Sequence, residues 1–267
     1  MERNFHSDPS AEDGSGPADP LFVQSLARGM SVLEAFRGAE GPLSLAQIAA
    51  RSGMTRSAAQ RLVHTLRRLG YLIQAEDGRG FRPHLPILDL THDFMRLNPL
   101  VRRANPILLE LRRSVRERVD LSLFDGQRMV YVTRMQSKRE IFFATLVGKS
   151  VPVTGSSGGW AVLAMLPPAE ADAILAQAPL HPVTPRTLTD PDAIRAQLAL
   201  VRETGHALAL EQMLMGEVAL GVAIPDASGR PVGAIHIVAS LSEWEPEEFR
   251  RRVAPLAAEA VRSITAA

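Results

Sequence analysis

Residues 43–72, LSLAQIAARSGMTRSAAQRLVHTLRRLGYL, decide the fold of the first part of the chain. Ser44 is a good N-cap for a helix, and the glutamine three residues later completes a capping-box pattern. Gly53 breaks that helix, and Thr55 or Ser57 can cap a second one. The stretch therefore predicts two short helices that are joined by a turn containing a glycine.

The second of these helices, over residues 56–69, is amphipathic. Its predicted inner face repeats at helical spacing and consists of Ala59, Leu62, Val63, Leu66 and Leu69. Its other face carries arginine and glutamine. This arrangement is that of a helix-turn-helix motif, whose second helix enters the major groove of DNA. Arginine can bind guanine, and glutamine adenine, through paired hydrogen bonds, while hydroxyl groups near the helix start can reach phosphates.

A hairpin is predicted after the second helix, in residues 71–84 (YLIQAEDGRGFRPH). Two short strands around Asp77 and Gly78 form a wing that presents Arg79 and Arg82 to the DNA backbone. A basic helix face alone is more often plain solvated surface, but the capped helices, the turn and the wing in this order favour DNA binding. The candidate DNA contacts are Ser44, Thr55, Arg56, Ser57, Gln60, Arg61, His64, Arg67, Arg79 and Arg82.

Charge is unevenly distributed along the chain, although the net charge is only +1. Residues 1–20 carry five acidic residues against one arginine and are rich in Pro, Gly and Ser, so we expect a disordered acidic tail. Residues 21–82 carry nine arginines against four acidic residues, a net charge of +5. A basic module followed by a neutral remainder predicts that the first part binds a polyanion and the second part has another task.

The composition excludes several classes of protein. The 267 residues include no cysteine, which rules out disulfides, thiolate chemistry and cysteine zinc sites. No apolar run reaches the roughly 18 residues that span a bilayer, and the N-terminus lacks the apolar core of a signal peptide. We therefore expect a soluble, cytoplasmic protein without a membrane partner. The seven histidines show no paired metal-ligand spacing, so neither a metal nor a cofactor is expected.

Outside residues 43–84, the sequence predicts further helices and two more hairpins. A helix is predicted before the motif, over 22–36, with Leu26, Met30, Leu33 and Phe36 on its apolar side. Amphipathic helices over 86–97 and from residue 98 onward precede hairpins at 120–135 and 221–240, with a further strand at 139–147. More helices are expected at 159–166, 168–177, 191–204 and 246–265. The pattern predicts an α+β fold with an antiparallel sheet, divided into a tail (1–20), a winged helix-turn-helix (21–85), an amphipathic helix (86–99) and a second domain (100–267).

The stretch Gly155-Ser156-Ser157-Gly158-Gly159 matches the G-x-S-x-G pattern of a hydrolase nucleophile elbow. A triad can be written with Ser157 as nucleophile, Asp190 or Asp192 as the acid and His206 as the base. The elbow, however, belongs after several parallel strands, whereas a DNA-binding module and a hairpin precede it here. One alternative is that this loop holds a ligand, because the backbone N–H groups at a helix start suit a carboxylate. Another is that it is a purely structural tight turn.

Several segments together resemble the IclR-type bacterial transcriptional regulators. These are FVQSLARGMSVLEAF (22–36), residues 43–72, MVYVTRMQSKREIFF (129–143), VGKSVPVTGSSGGWAVLAMLP (147–167) and GEVALGVAIPDASGRPVGAIHIVAS (216–240). The first looks most like the branch that controls breakdown of aromatic acids such as protocatechuate and 4-hydroxybenzoate. The resemblance implies a winged helix-turn-helix, a linker helix and a GAF-like domain that binds a small, usually anionic effector.

The resemblance also implies where the effector binds. The loop with Ser156, Ser157 and Gly158 lines the pocket in the family, and Met213, Ala223 and His236 occupy positions that contact ligand there. Trp160 stands where the family often has a basic residue, and His206 where it often has tyrosine. From its place at a predicted strand end, Arg134 is a candidate partner for a carboxylate, although it could equally be an exposed arginine, and His236 could be a satisfied core histidine.

The sequence therefore predicts a regulator that binds a double-stranded DNA operator, responds to a small, aromatic carboxylate and acts as a homodimer or tetramer. Oligomers are expected because one helix reads only a few base pairs, and two such helices read a palindrome. Two other functions remain open: a serine hydrolase that uses Ser157, and a constitutive DNA-binding protein whose second domain only oligomerises.

Overall fold

A computed structural model of the chain describes residues 19–136 and 147–266. The chain divides into two compact units, with the boundary after Asp93. Two predictions fall almost wholly outside the described residues: the disordered acidic tail and the strand at 139–147.

The first unit contains the three helices and the hairpin that the sequence predicts. Its elements are α1 (Gln24–Glu34), α2 (Leu45–Arg51), α3 (Arg56–Arg68), β1 (Leu72–Gln74) and β2 (Phe81–Pro83). The two strands pair antiparallel, and Leu43 bridges Phe81 from the other side. The winged helix-turn-helix is confirmed.

Local hydrogen bonds set the helix starts. The Ser44 hydroxyl accepts from the Gln47 amide, while the Gln47 side chain accepts from the Ser44 amide, so the capping box is complete. Of the two residues considered for the start of α3, Thr55 is the N-cap, and its hydroxyl accepts from the Ala58 amide. These caps satisfy backbone donors that the helices themselves leave without partners.

The small core of this unit is built from one face of each helix and from the wing: Val32, Ala35, Leu43, Ile48, Val63, Leu66 and Leu72. Two expectations about apolar faces were wrong. Leu69 is exposed, because α3 ends at Arg68 and the chain turns away. Leu26 and Met30, expected on the apolar side of α1, are also exposed, and only the end of that helix reaches the core.

Two helices follow the wing. The first is α4 (Pro86–Leu97), and none of its residues, all of which the structure describes, is buried. The unit boundary lies within α4. The second is α5 (Pro99–Val115), which begins after Asn98, whose side chain accepts from the Val101 amide. Proline at its first position suits a helix start, where an N–H would have no helical acceptor.

The second unit is built on a six-stranded antiparallel sheet within the described residues, with strand order β5-β4-β3-β8-β7-β6. The strands are β3 (Arg118–Asp125), β4 (Arg128–Met135), β5 (Ser150–Pro152), β6 (Ala207–Leu210), β7 (Glu217–Pro225) and β8 (Pro231–Ser240). Both predicted hairpins, β3–β4 and β7–β8, are present. The α+β fold with an antiparallel sheet is confirmed.

Helices cover both faces of this sheet. On one face, α5 and α9 (Pro246–Ala266) pack on the large aliphatic residues of β3, β7 and β8, such as Leu121, Leu220 and Ile235. On the other face lie α6 (Ser157–Met165), α7 (Pro168–Gln177) and α8 (Pro191–Thr204), whose core includes Trp160, Leu163 and Ile194. Small sheet residues, Gly221, Ala223 and Ala234, lie on the α6 side and let that helix approach closely.

The edge strands β5 and β6 were not predicted. Each has at most four residues, and β6 is the alanine-rich ALAL, which has little intrinsic preference for a strand. Pairing with the neighbouring long strand is what makes these residues extended.

Candidate functional site

The exposed face of α3 carries the polar residues that the sequence predicts for DNA contact. Arg56, Ser57, Gln60, Arg61, His64 and Arg67 are all exposed. A broad open groove of about 750 Å³ runs along this face between Leu45 and the wing residue Phe81. The guanidinium of Arg67 lies 5.6 Å from the centre of the Phe81 ring, a cation–π contact that links the helix to the wing.

The arginines of this unit divide into two kinds. Arg51 donates hydrogen bonds to the carbonyl oxygens of Ala35 and Arg37, so it holds α2 to the end of α1. By contrast, the side chains of Arg56, Arg61, Arg79 and Arg82 form no ion pair or hydrogen bond with any residue that the structure describes. These charges are available to phosphates and base edges. The hydroxyls of Ser44 and Thr55 cap helices, as described above.

The second unit contains a small cavity where α6 meets the sheet. Its volume is about 30 Å³, close to the space that one water occupies in the liquid. The wall combines charged, hydroxyl and apolar groups: Arg118, Tyr131, Ser156, Ser157, Ala209, Glu211, Gln212, Met213, Glu217, Ala219, His236 and Val238. Of the residues implied by the family resemblance, this cavity brings together Ser156, Ser157, Met213 and His236.

The start of α6 is rigidly held at this cavity. The Ser156 hydroxyl accepts from the Gly159 amide and caps the helix, and the Trp160 indole donates to the Thr154 carbonyl at 2.6 Å. Trp160 is therefore a buried anchor for the loop. The amides of Ser157 and Gly158 donate no hydrogen bond within the part of the chain that the structure describes. Such amides, at the positive end of a helix dipole, are suited to an anionic oxygen.

Glycines allow the close approach of α6 to the sheet. A Cβ on Gly221 would overlap the backbone between Ser157 and Gly158, and a Cβ on Gly158 would overlap the ring of His236. Gly158 therefore packs on His236 rather than on the cavity. Ala223 lies in the core beneath α6 and is outside the cavity wall that the described residues form.

His236 is buried between two hydroxyl groups. Its Nε2 lies 2.7 Å from the Ser122 hydroxyl and its Nδ1 lies 3.4 Å from the Ser157 hydroxyl, while the Tyr131 ring packs beside it. Burial lowers the pKa of His236 to about 3, and the nearby Arg118 cation adds to the effect. His236 is thus a neutral histidine with both ring nitrogens hydrogen-bonded, and it also forms part of the cavity wall.

Because His236 is neutral in the folded protein, it should affect how the stability of the protein depends on pH. The pKa of this histidine is 6.5 in the unfolded chain and about 3 in the folded protein, so between these pH values only the unfolded chain takes up the proton. The contribution of neutral His236 to stability is therefore complete above pH 6.5 and is lost as the pH falls towards 3. We expect the stability advantage of wild type over His236→Gln to shrink by about 3 kcal/mol between pH 7 and pH 4. Urea unfolding of both proteins at each pH measures this difference, in which the other titrating groups cancel. Parallel pH profiles would contradict it.

Arg134 belongs to a buried cluster of charges that was not predicted from the sequence. Arg118 donates to Asp120 (3.0 Å) and to Glu217 (2.9 Å), and the Arg134 Nε lies 3.8 Å from the other Asp120 oxygen. The Asp120 side chain is 0% exposed and that of Arg134 only 5%. Of the four, Arg118 and Glu217 line the cavity, while Asp120 and Arg134 are outside the wall formed by the described residues. Arg134 is therefore not an exposed strand-end arginine.

A signal for this cluster was present in the sequence. Arg118, Asp120 and Ser122 alternate with Val119 and Leu121, so the period of a strand places the three polar residues on one face. Across the sheet, Asp120 pairs with Arg134 on β4 and with His236 on β8. The alternation could have been recognised, but the cross-strand register that brings these charges together could not.

The arrangement argues against a nucleophilic Ser157. Of the candidate triad residues, His206 is hydrogen-bonded to the Thr204 carbonyl, Asp190 caps α8 and Asp192 accepts from Arg195. None of the three is hydrogen-bonded to Ser157, whose described side-chain partner is His236. The histidine that does contact Ser157 is His236, whose lowered pKa makes it a weak base and whose other nitrogen bonds a hydroxyl instead of a carboxylate.

Two further observations concern the part of the chain that the structure describes. No helix there is long and apolar enough to cross a membrane. Those residues also contain no group of three or more His, Asp or Glu side chains that could hold a metal ion.

Known proteins match both units. Residues 25–76 match the IclR helix-turn-helix domain, and residues 93–266 match the C-terminal domain of bacterial transcriptional regulator IclR. The Pca regulon regulatory protein of Pseudomonas putida is 30% identical over 247 residues, which covers 92% of this chain and 84% of that protein. The Pca operon regulatory protein of Acinetobacter baylyi is 28% identical over 247 residues, 91% of this chain and 88% of that protein.

A solved structure has the same fold along nearly its whole length. It is an IclR homolog from Microbacterium hydrocarbonoxydans complexed with 4-hydroxybenzoate, with a TM-score of 0.74 and 26% identity, covering 91% of this chain and 98% of that one. The relatives are named as regulators, and the weak base beside Ser157 agrees with that. The winged helix-turn-helix, the second domain and these matches together show that the chain belongs to the IclR family of bacterial transcriptional regulators.

Proposed function

We propose that this regulator binds a palindromic operator as a homodimer or tetramer and that a small aromatic carboxylate, bound beside the start of α6, controls its affinity for DNA. The observation that carries the proposal is the cavity at this helix start, which is lined by both polar and apolar groups, in a domain attached to a winged helix-turn-helix. The cavity wall includes hydroxyl groups, Ser157 at the start of α6 and a guanidinium beside apolar side chains.

The expected ligand chemistry follows from the cavity wall. The carboxylate would lie near the Ser157 amide and hydroxyl, and the ring against Tyr131, Met213 and Val238. The names of the relatives point in the same direction, since one structure holds 4-hydroxybenzoate. A volume of about 30 Å³ is far below the roughly 300 Å³ of a small ligand pocket, so binding requires side chains to move. Met213, unbranched and only half-buried, is the most adaptable of them.

Self-association is supported by apolar residues that remain exposed. On α4, Leu90, Phe94 and Leu97 are exposed and follow at i, i+4 and i+7, and on α1 Leu26 and Met30 are exposed. Such stripes on amphipathic helices are typical of surfaces that pack on another chain. A dimer would place two copies of α3 about 34 Å apart, the spacing of successive major grooves on one side of DNA.

Control of DNA binding needs only a difference in effector affinity between two arrangements of the protein. A hundredfold preference for one arrangement shifts the equilibrium by about 2.7 kcal/mol. We therefore expect the effector and the operator to influence each other's affinity by the same factor.

The exposed arginines of α3 should carry operator recognition. We expect Arg61→Ala to weaken operator binding by about 1 to 3 kcal/mol without loss of stability, because its side chain has no partner among the described residues. Arg79→Ala, on the wing, should weaken specific and random DNA alike and reduce the salt dependence by about one phosphate contact. Gel-shift titrations measure both, with Arg262→Ala on α9 as a charge-matched control. Unchanged operator affinity in Arg61→Ala would refute the assigned face.

The proposed function is tested by operator binding in the presence of candidate acids. Fragments from the region upstream of the gene are titrated with the protein, with and without benzoate, 4-hydroxybenzoate and protocatechuate. We expect at least one acid to change the affinity at least tenfold. Ser157→Ala should need about fivefold more of that acid, the equivalent of one neutral hydrogen bond.

Two outcomes would favour the other functions. If no acid alters DNA binding, the result would favour a constitutive DNA-binding protein. Ester turnover that is lost in Ser157→Ala would revive the hydrolase.

A further inference from the structure

The buried charges next to the cavity cancel one another. Arg118 and Arg134 are balanced by Asp120 and Glu217, and Arg118 contacts both carboxylates through hydrogen bonds. Buried charges persist only when they are paired in this way, since an uncompensated one is strongly destabilising. The cluster is therefore complete without any ligand.

An acidic effector would disturb this balance. Arg118 and Glu217 line the cavity, so a carboxylate placed there adds a third negative charge beside two positive ones. The effector would meet a site whose guanidinium groups are already neutralised. Binding becomes favourable when one of the carboxylates of the protein loses its charge.

We propose that Asp120 takes up a proton when an acidic effector binds, and that it thereby allows the cavity to accept a carboxylate. This inference rests on the proposed function. The proton comes from solvent and forms an O–H bond on Asp120, and the charges of Arg118 and Arg134 are then balanced by Glu217 and the effector. The Oδ1 atom of Asp120 accepts no hydrogen bond from the described residues, so a proton on this atom displaces none.

Asp120 is better suited to this role than the groups that face it. Burial raises the pKa of Asp120 to about 6, although Arg118 and Arg134 act against that shift. On β4, burial keeps the Tyr131 hydroxyl protonated by raising its pKa, and on β8 His236 stays neutral. On β7, Glu217 is partly open to the cavity, and on the neighbouring loop Glu211 accepts from the Gly216 amide.

Proton uptake makes effector affinity depend on pH. Because the free pKa of Asp120 is about 6, affinity should be nearly constant below pH 6 and should fall by up to tenfold per unit above it, until the pKa of the complex is reached. Lower pH therefore strengthens binding of an acid that is itself fully ionised over this range.

Calorimetry of the full chain at pH 7.0 tests this, with 4-hydroxybenzoate as the probe. Titrations in phosphate and in Tris, which differ in ionisation heat, give the number of protons taken up. We expect close to one proton for wild type, and the same for the exposed matched control Asp125→Asn. Asp120→Asn should take up none, and its affinity should not change between pH 6.5 and pH 7.5. The neutral probe 4-hydroxybenzamide should bind without proton uptake.

If Asp120→Asn does not fold, the wild-type protein still decides. With aspartate labelled by ¹³C at Cγ, one carboxyl resonance should move to the position of a protonated acid when 4-hydroxybenzoate is added. Binding of 4-hydroxybenzoate without proton uptake, or without such a resonance, overturns the role of Asp120 while leaving the proposed function intact. No binding by benzoate, 4-hydroxybenzoate or protocatechuate overturns both.

Discussion

Gly159→Ala is expected to destabilise the second unit by about 3 kcal/mol or more. A Cβ at this position would overlap the carbonyl oxygen of Val153, which belongs to the backbone and cannot turn away. Relief would require α6 to move off the loop that precedes it, and the same helix rests on Gly221 without a gap. Thermal or urea unfolding followed by circular dichroism measures the loss.

The matched control lies in the loop that precedes α6. A Cβ on Gly155 would meet only the Met213 sulfur, at 3.9 Å, an ordinary van der Waals contact. Gly155→Ala should therefore change stability by less than about 1 kcal/mol. Equal stability of the two variants would mean that the backbone at Val153 moves at little cost. It would contradict the claim that close packing of α6 holds this site in place.

Arg118→Ala is the second change with a large expected effect, about 3 to 5 kcal/mol of unfolding free energy. It leaves the carboxylates of Asp120 and Glu217 buried or half-buried without the cation that contacts both. Arg128→Ala on the next strand also removes an arginine–aspartate pair, but that pair is half-exposed, so the expected loss is only about 0 to 1 kcal/mol. Urea unfolding at pH 7 compares the two.

The loss in Arg118→Ala should also depend on pH. Without Arg118, the pKa of Asp120 rises further. At pH 5 the carboxyl group of Asp120 is then protonated and neutral, and its burial without a cation costs less than at pH 7. The difference from wild type should therefore be smaller at pH 5 than at pH 7. A loss as small as that of Arg128→Ala, or one independent of pH, would mean that the cluster contributes little to stability.

Much of the first unit could be predicted because its signals are local. The capping box at Ser44, the cap at Thr55 and the turn at Gly53 depend on residues within a few positions of each other. The same holds for the hairpin turns of the second unit, where Gly126 and Gly229 have positive φ. Leu69 was misplaced because periodicity does not mark the residue at which a helix ends.

The site could be predicted only in part. Sequence indicated the loop at Ser156 and Ser157 and the histidine at 236, but it could not tell that Gly158 packs on that histidine or that Ala223 lies in the core. Arg134 was considered as an isolated anion partner, whereas the structure places it next to Asp120. Each of these facts depends on which strand lies beside which.

The sequence by itself determined the helices, their caps, the hairpins and the exposed basic face of α3, because these follow from propensity, periodicity and hydrogen bonds between near neighbours. Only the tertiary structure decided the contents of the cavity and the charge cluster. Arg118 and Glu217 are 99 positions apart, and Ser122 and His236 are 114 apart. Their contacts arise from strand order and register, which are set by packing of the whole domain and which no local pattern encodes.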